Sequence, residues 1–230
     1  MKYVPITALF FVLGMGCAES PFQGTSTGNA IRMGLEPTES GRYVSSSENG
    51  TEFTIDAAEA TVTRLSFPLP SLIGCDRLGL SAPLGCDASG EGAEIVGTYS
   101  VDLLAAEFSP DLDDLTLPAI KFESITAEVD AVEISGVFDY DNTSTMFAFS
   151  VAPASSLSFT AEGLPKIQDN ETLSLLLNPQ TWLQTVPVVA CIDDGDLEVI
   201  DGRVTITNAC GDALDRIDEA IAESTNLTVE

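Results

Sequence analysis

Apolar and polar residues alternate with a period of two along most of the chain after residue 50, the pattern of strands that bury one face. Within residues 51–69 the alternation changes parity twice, which predicts bulges or two strands, because a one-residue slip turns every side chain to the other face. Further alternating runs predict strands at 94–104, 115–129, 132–139, 145–151, 156–161 and 172–177. No helical period interrupts this series, so the sequence predicts a mainly β fold: an antiparallel β-sandwich or partly open barrel.

Helical signals occur only towards the C-terminus. Asn178 followed by Pro179 combines a cap with proline at the first helical position and predicts a short helix near 178–184. Within that segment, Trp182 is predicted to be core or half-core. After an apolar strand at 186–192 and a hairpin through 193–196, residues 211–224 predict a C-terminal helix that packs one narrow apolar face on the sheet. That face consists of Ala213, Leu214, Ile217, Ala220 and Ile221.

The first residues have the layout of a secretory signal. Lys2 supplies a positive charge, and an apolar run follows that is too short to span about 30 Å of hydrocarbon as a helix. The run ends in Leu13-Gly14-Met15-Gly16-Cys17, which resembles the lipobox of bacterial lipoproteins, where the thiol is diacylated and the peptide is cut before the cysteine. Ordinary signal cleavage after Ala18 is the alternative. We predict a signal peptide at 1–16 and a lipid anchor at Cys17.

The next segment differs in composition from the rest. Residues 17–50 hold the anchor cysteine followed by a stretch rich in Ser, Gly, Thr, Pro and Glu, which predicts a flexible tether. Residues 51–230 are then predicted to form a single β-sandwich domain with its C-terminal helix. By analogy with the sorting rule of Gram-negative lipoproteins, Ala18 after the cysteine indicates the outer membrane.

Four cysteines remain beyond Cys17, namely Cys75, Cys86, Cys191 and Cys210. An even number in an exported protein predicts two disulfides. Of the three possible pairings we predict the local one, Cys75–Cys86 and Cys191–Cys210, because each pair flanks a connection rich in Gly, Pro or Asp. Cys210 would then fix the start of the C-terminal helix to the preceding strand. Zinc ligation is the alternative, but the chain has neither short Cys-x2-4-Cys spacings nor histidine.

Charge excludes several kinds of partner and chemistry. Cleavage before Cys17 removes Lys2 and leaves eight basic against 36 acidic residues, a net charge of −28. Such a surface repels nucleic acid and anionic headgroups, so we expect no nucleic-acid partner. The absence of histidine excludes Ser-His-Asp and Cys-His catalysis and the usual proton shuttle near neutral pH. No motif of the chain implies a cofactor.

Two passages resemble a known group of proteins. Val101-Asp102-Leu103-Leu104 and, after an acidic loop, Leu117-Pro118-Ala119-Ile120-Lys121-Phe122-Glu123-Ser124-Ile125 look like a passage of uncharacterised bacterial lipoproteins, in which a "vDLL" strand precedes one beginning Leu-Pro-Ala-Gly-x-Tyr. The run Ala60-Thr61-Val62-Thr63-Arg64-Leu65 is similar to their early "v-t-r-v" strand. The resemblance covers residues 51–129. It implies a transthyretin-like or immunoglobulin-like sandwich and an envelope location, and it implies no active site.

Two acidic turns are the candidate metal sites. Asp193, Asp194 and Asp196 form one cluster, and Asp139 and Asp141 form the other. Calcium prefers six to eight oxygen ligands, but neither cluster has the spaced Asp-x-Asp-x-Asp-Gly loop with its distant Glu. We therefore predict solvated turns and no metal, with calcium as the alternative.

We expect a non-enzymatic binding or structural module at the membrane surface, whose partner is another envelope protein or a glycan. A carboxylate-based glycosidase is one alternative, and a calcium-dependent adhesion module is the other. Two desolvated carboxylates facing each other in a cleft would favour the glycosidase. An apolar patch on one face would favour a protein partner.

Overall fold

The computed structural model describes residues 31–47, 49–68, 84–86, 92–112, 115, 117, 121–122, 124–161, 167–168 and 171–230. Within these residues the chain is mainly β, with two sheets and few helices, as the alternating pattern predicts. The strands are β1 Ile31–Leu35, β2 Val44–Ser46, β3 Glu52–Pro68, β4 Leu84–Cys86, β5 Gly92–Asp102, β6 Glu107–Ser109, β7 Ser124–Tyr140, β8 Thr143–Val151, β9 Leu157–Thr160, β10 Leu173–Leu177, β11 Val199–Ile200, β12 Arg203–Thr205 and β13 Thr225–Val229; the α-helices are α1 Val188–Asp193 and α2 Ala213–Glu223.

The larger sheet is built around β3 and β7, each 17 residues long. Its main path is β11-β12-β8-β7-β3-β5-β4, while β2 also pairs with β3, β6 with β5 and β9 with β7. Residues 124–129 of the predicted strand 115–129 and the whole predicted strand 132–139 therefore belong to one strand, because β7 continues through Asp130 and Ala131 without a turn. Within residues 51–69, too, the structure has one strand rather than two.

Bulges in β3 confirm the predicted changes of parity. The buried residues are first Phe53 and Ile55, then Ala58, Ala60 and Val62, and finally Leu65 and Phe67. The pairing register of β3 shifts between Ile55 and Ala57 and again between Val62 and Arg64. Each shift inserts an extra residue, so the strand keeps its apolar side chains on the core side although their parity in sequence changes.

The smaller sheet corrects the prediction of a flexible tether over 17–50. β1, which lies inside that segment, pairs in parallel with β10, and β10 pairs antiparallel with β13. Met33 is fully buried, and Leu35 donates its N–H to the carbonyl of Leu103 at 2.8 Å. Three apolar side chains at alternate positions are enough for a buried strand once β10 supplies the hydrogen bonds. Residues 17–30, with Cys17, lie outside the described part.

The segment after Trp182 corrects a second prediction. Residues 188–192 of the predicted strand 186–192 lie in helix α1 instead. The helix begins after Pro187, and the Cys191 N–H donates to the carbonyl oxygen of Pro187 at 2.9 Å. A short apolar run without alternation fits a buried helix as well as a strand, so periodicity alone does not separate the two. Gly195, with φ of +81°, follows the helix end, so residues 193–196 form no hairpin.

Other C-terminal predictions are confirmed. Asn178 accepts the N–H of Gln180 at 3.0 Å and caps a 3-10 helix, Pro179–Thr181. Trp182 is fully buried and donates its indole N–H to Ser224 Oγ at 2.9 Å. In α2 the buried residues are Ala213, Ile217 and Ile221, while Leu214 and Ala220 are half-buried. Among the described residues no helix is both long and apolar enough to cross a membrane.

One of the two predicted disulfides lies in the described part. Cys191 and Cys210 are bonded, with their Cα atoms 5.5 Å apart. The bridge ties the start of α2 to α1, rather than to a strand as predicted. Closing a loop with a sequence separation of 19 stabilises a protein by about 3 kcal/mol in the chain-entropy treatment. Cys75 and the side chain of Cys86 lie outside the described residues, so that pairing stays a prediction.

Gly136 in β7 gives a stability prediction. A Cβ atom there would lie 1.9 Å from the carbonyl oxygen of Thr54 and 2.9 Å from Phe147 Cε1. We expect Gly136→Ala to lower the free energy of unfolding by about 2–4 kcal/mol, because neither the paired backbone nor the packed ring can move away. Gly85→Ala is the control, since its nearest contact would be an ordinary 3.8 Å. Urea unfolding that found the two variants equally stable would contradict this account of the β3–β7 pair.

Candidate binding surface on the outer face of the large sheet

The structure brings the two predicted acidic turns together. Asp141 and Asn142 have φ of +48° and +59° and form the two-residue turn between β7 and β8. The neighbouring Tyr140 hydroxyl donates to Asp193 Oδ1 at 2.8 Å, at the end of α1. The pKa of Tyr140 is raised, first because this hydrogen bond favours the neutral phenol and then through burial and the charges of Asp193 and Asp141.

Both acidic turns have a clear role in the chain path. Asp141 and Asn142 are among the residues that best tolerate the left-handed backbone which a tight hairpin requires. Asp193 ends α1 and accepts the hydrogen bond from Tyr140. Within the described ranges no three His, Cys, Asp or Glu side chains converge where they could hold a metal ion. The geometry thus gives the calcium hypothesis no support at Asp139, Asp141, Asp193, Asp194 or Asp196.

A second acidic feature was not predicted: an open groove of about 720 Å³ across the outer face of the large sheet. Register brings four carboxylates side by side across four strands. Glu107 lies opposite Asp102, Asp102 opposite Glu59, and Glu59 opposite Glu133. All four residues are exposed. We call Glu107, Asp102, Glu59 and Glu133 the acidic row.

Local hydrogen bonds hold part of the acidic row in place. Asp102 Oδ1 accepts the N–H groups of Leu104 and Ala105, at 2.9 and 3.0 Å, and so fixes the turn between β5 and β6. Ser100 donates its hydroxyl to the carboxylate of Glu59. None of the described residues that line the groove is Lys or Arg. The row therefore consists of adjacent negative charges without a basic side chain between them.

Elsewhere on the solvent-facing side of β3, acidic residues of neighbouring strands form ion pairs with a basic residue. The Arg64 guanidinium lies 3.5 Å from Glu94 and 3.4 Å from Glu128, which extend from the strands on either side. An exposed cation between two carboxylates gives a modest but favourable interaction. The acidic row has the same cross-strand geometry without the cation, and like charges directly opposite each other destabilise a sheet.

Two further rows complete the outer face. Two positions along the strands from Glu59 and Glu133 lies a row of small side chains: Ala57, Ser135, Ala148 and Thr205. We call it the small-residue row.

The next row, two positions further along the strands, has exposed apolar side chains. There Met146 lies opposite Arg203, and Arg203 lies opposite Ile200. Met146 and Ile200 keep 42% and 63% of their surface exposed. We call Met146 and Ile200 the apolar end. The outer face thus passes from acidic to small to apolar along the strand direction.

Sequence reasoning missed this surface because its members are distant in the chain. Alternation does place Glu59 and Glu133 on the outer face of their strands, opposite the buried Ala60 and Ile134. Their position opposite each other depends on the register of β3 against β7. The bulges set that register, and the alternation alone does not determine it.

Removing one charge from the acidic row tests the repulsion. We expect Glu133→Gln to raise the melting temperature by about 1–2 °C at low ionic strength, because it relieves the opposed pair with Glu59. The gain should vanish in about 1 M sodium chloride, where the Debye length falls to about 3 Å. Glu39→Gln is the control, an exposed residue outside the groove with the same change in net charge. Equal gains from both variants would assign the effect to net charge alone.

Comparison with protein-family models, with curated proteins and with solved structures finds no match to this chain. The resemblance to bacterial β-sandwich lipoproteins therefore stays a prediction that rests on the quoted residues.

Proposed function

We propose that this chain is an exported lipoprotein of the bacterial cell envelope, held at the membrane by a lipid on Cys17, and that it works as a non-enzymatic binding module. The outer face of the large sheet is the observation that carries the binding role. It is concave, open to solvent and chemically graded, and its acidic row lacks a cation to balance it. A charged and concave surface of this kind concentrates oppositely charged partners.

Two features support export. The charged and then apolar N-terminal segment ending at Cys17 is typical of a lipoprotein signal. The Cys191–Cys210 disulfide fits an oxidising compartment such as the periplasm or cell surface. The outer membrane, indicated by Ala18 after the anchor, is part of the same proposal.

The groove favours binding over glycoside hydrolysis. A carboxyl group that acts as a general acid near neutral pH is usually desolvated, so that it stays protonated. Glu59 and Glu133 face each other across β3 and β7, but both are exposed. The rings of Phe108 and Phe149 at the groove are buried and so offer a sugar no exposed stacking platform.

The anchor is tested by Cys17→Ser. We expect the variant to leave the membrane fraction and to lose labelling by a fatty-acid probe, because the hydroxyl is no substitute for the acylated thiol. Ser20→Ala, three residues further on, should stay in the membrane and remain labelled. Retention of the Cys17→Ser protein in the membrane, with an unlabelled wild type, would disprove the anchor.

The binding role is tested in cells with a photo-activatable amino acid. Placed at Ser150, which extends the acidic row beyond Glu133, it should give a discrete crosslinked species. Placed at the exposed Glu219 of α2, it should not, because that position lies outside the groove. Identical crosslinking patterns at the two positions, or none at either, would contradict a binding role for the outer face.

A further inference from the structure

We infer that the partner of the outer face is a cationic polypeptide segment, rich in Lys or Arg at one end and apolar at the other. This inference rests on the proposed binding function and specifies the partner's chemistry. It follows from the order of the three rows: acidic, small-residue and apolar.

Charge argues for a cation. Adjacent strands are about 4.8 Å apart, so the acidic row sets four carboxylates across about 14 Å. Their mutual repulsion is a cost that the free protein bears and that a bound cation removes. The sheet uses Arg64 for this purpose between Glu94 and Glu128. In the groove the cation has to come from outside, because no described lining residue provides it.

The shape argues for a polypeptide. The small-residue row presents Ala57, Ser135 and Ala148 as a low floor over which a backbone can approach closely. A groove of about 720 Å³ has room for several side chains. The four carboxylates stand in a row and do not converge, which matches a series of separate ammonium or guanidinium groups better than one metal ion.

The apolar end fixes the partner's direction. Met146, on the strand next to Glu133, offers exposed apolar surface about 14 Å, or four residues of strand, from the acidic row, and Ile200 extends that surface two strands further across the sheet. Arg203 lies between them in register, and Asp196, Glu198 and Asp201 line the same part of the surface, so the apolar end differs from the acidic row in its exposed apolar side chains and not in repelling cations. An extended segment would therefore place an apolar residue about four positions from its basic residues.

Purified protein and a defined peptide test the inference. The probe is a fluorescein-labelled peptide of two leucines, two glycines and four lysines in that order, titrated at low ionic strength and followed by anisotropy. Glu59→Gln, Glu107→Gln and Glu133→Gln together should weaken binding about tenfold or more, because they remove the row's unbalanced charges. The matched control combines Glu39→Gln, Glu219→Gln and Glu223→Gln, which are exposed residues outside the groove. It has the same net charge and should stay within about twofold of wild type.

A second pair of measurements tests the direction in which the peptide lies on the outer face. Ile200→Ser should weaken the leucine-containing peptide several-fold and leave a version with two serines in place of the leucines unchanged. Circular dichroism and melting curves check that every variant is folded, and the Gln variants keep the shape of the Glu side chains. Spermine and calcium chloride are titrated as competitors, to separate a peptide site from a site for small cations.

Several outcomes would overturn the inference. Equal weakening by the two triple variants would mean that net charge alone attracts the peptide. Displacement by calcium or spermine at concentrations as low as the peptide's own would assign the groove to a small cation. An unchanged affinity after Ile200→Ser would remove the apolar half. If the peptide fails to bind while Ser150 still crosslinks a partner in cells, the proposed binding role stands and its cationic specificity is wrong.

Discussion

The pairing of β3 with β7 is the constraint on which the rest of the structure depends. Both strands are 17 residues long. Within the described residues, β2 and β5 pair with β3, and β8 and β9 pair with β7, so the β3–β7 pair joins the two halves of the large sheet. Their register is fixed where Gly136 passes beneath Thr54, with the stacked rings of Phe53 and Phe138 4.7 Å apart beside it. A slip of either strand by one residue would turn the apolar side chains of that strand to solvent.

The same register creates the candidate site. Side chains that alternate with the core residues must lie on the outer face, so fixing Ala60 and Val132 inside also sets Glu59 opposite Glu133 outside. The register that packs the core therefore also places the two carboxylates opposite each other. A fold selected for stability alone would gain by replacing one of them with a neutral or basic residue, as the arrangement around Arg64 shows is possible on this sheet.

What the sequence predicted and what it missed have a common physical reason. Local periodicity is strong enough to give the fold class, the parity changes of β3, the cap at Asn178, the burial of Trp182 and helix α2. It fails where stability comes from distant partners, as for β1, which is a strand because β10 lies beside it. It also fails for α1, which is too short to show a helical period. The acidic row belongs to this second class, because its residues come from 59, 102, 107 and 133 and meet only through pairing.

The chain has a net charge of −27, and the acidic row has to be compared with that general excess of acidic residues. With 9 basic against 36 acidic residues, most carboxylates cannot have a basic partner, and isolated ones are separated by solvent that screens them. The row differs because strand pairing holds the backbones that carry its carboxylates about 5 Å apart, closer than the Debye length at physiological salt. General acidity keeps a protein soluble, but it does not require carboxylates in register over a floor of small residues with an apolar end. That combination, and not the acidity alone, is what the proposed binding role rests on.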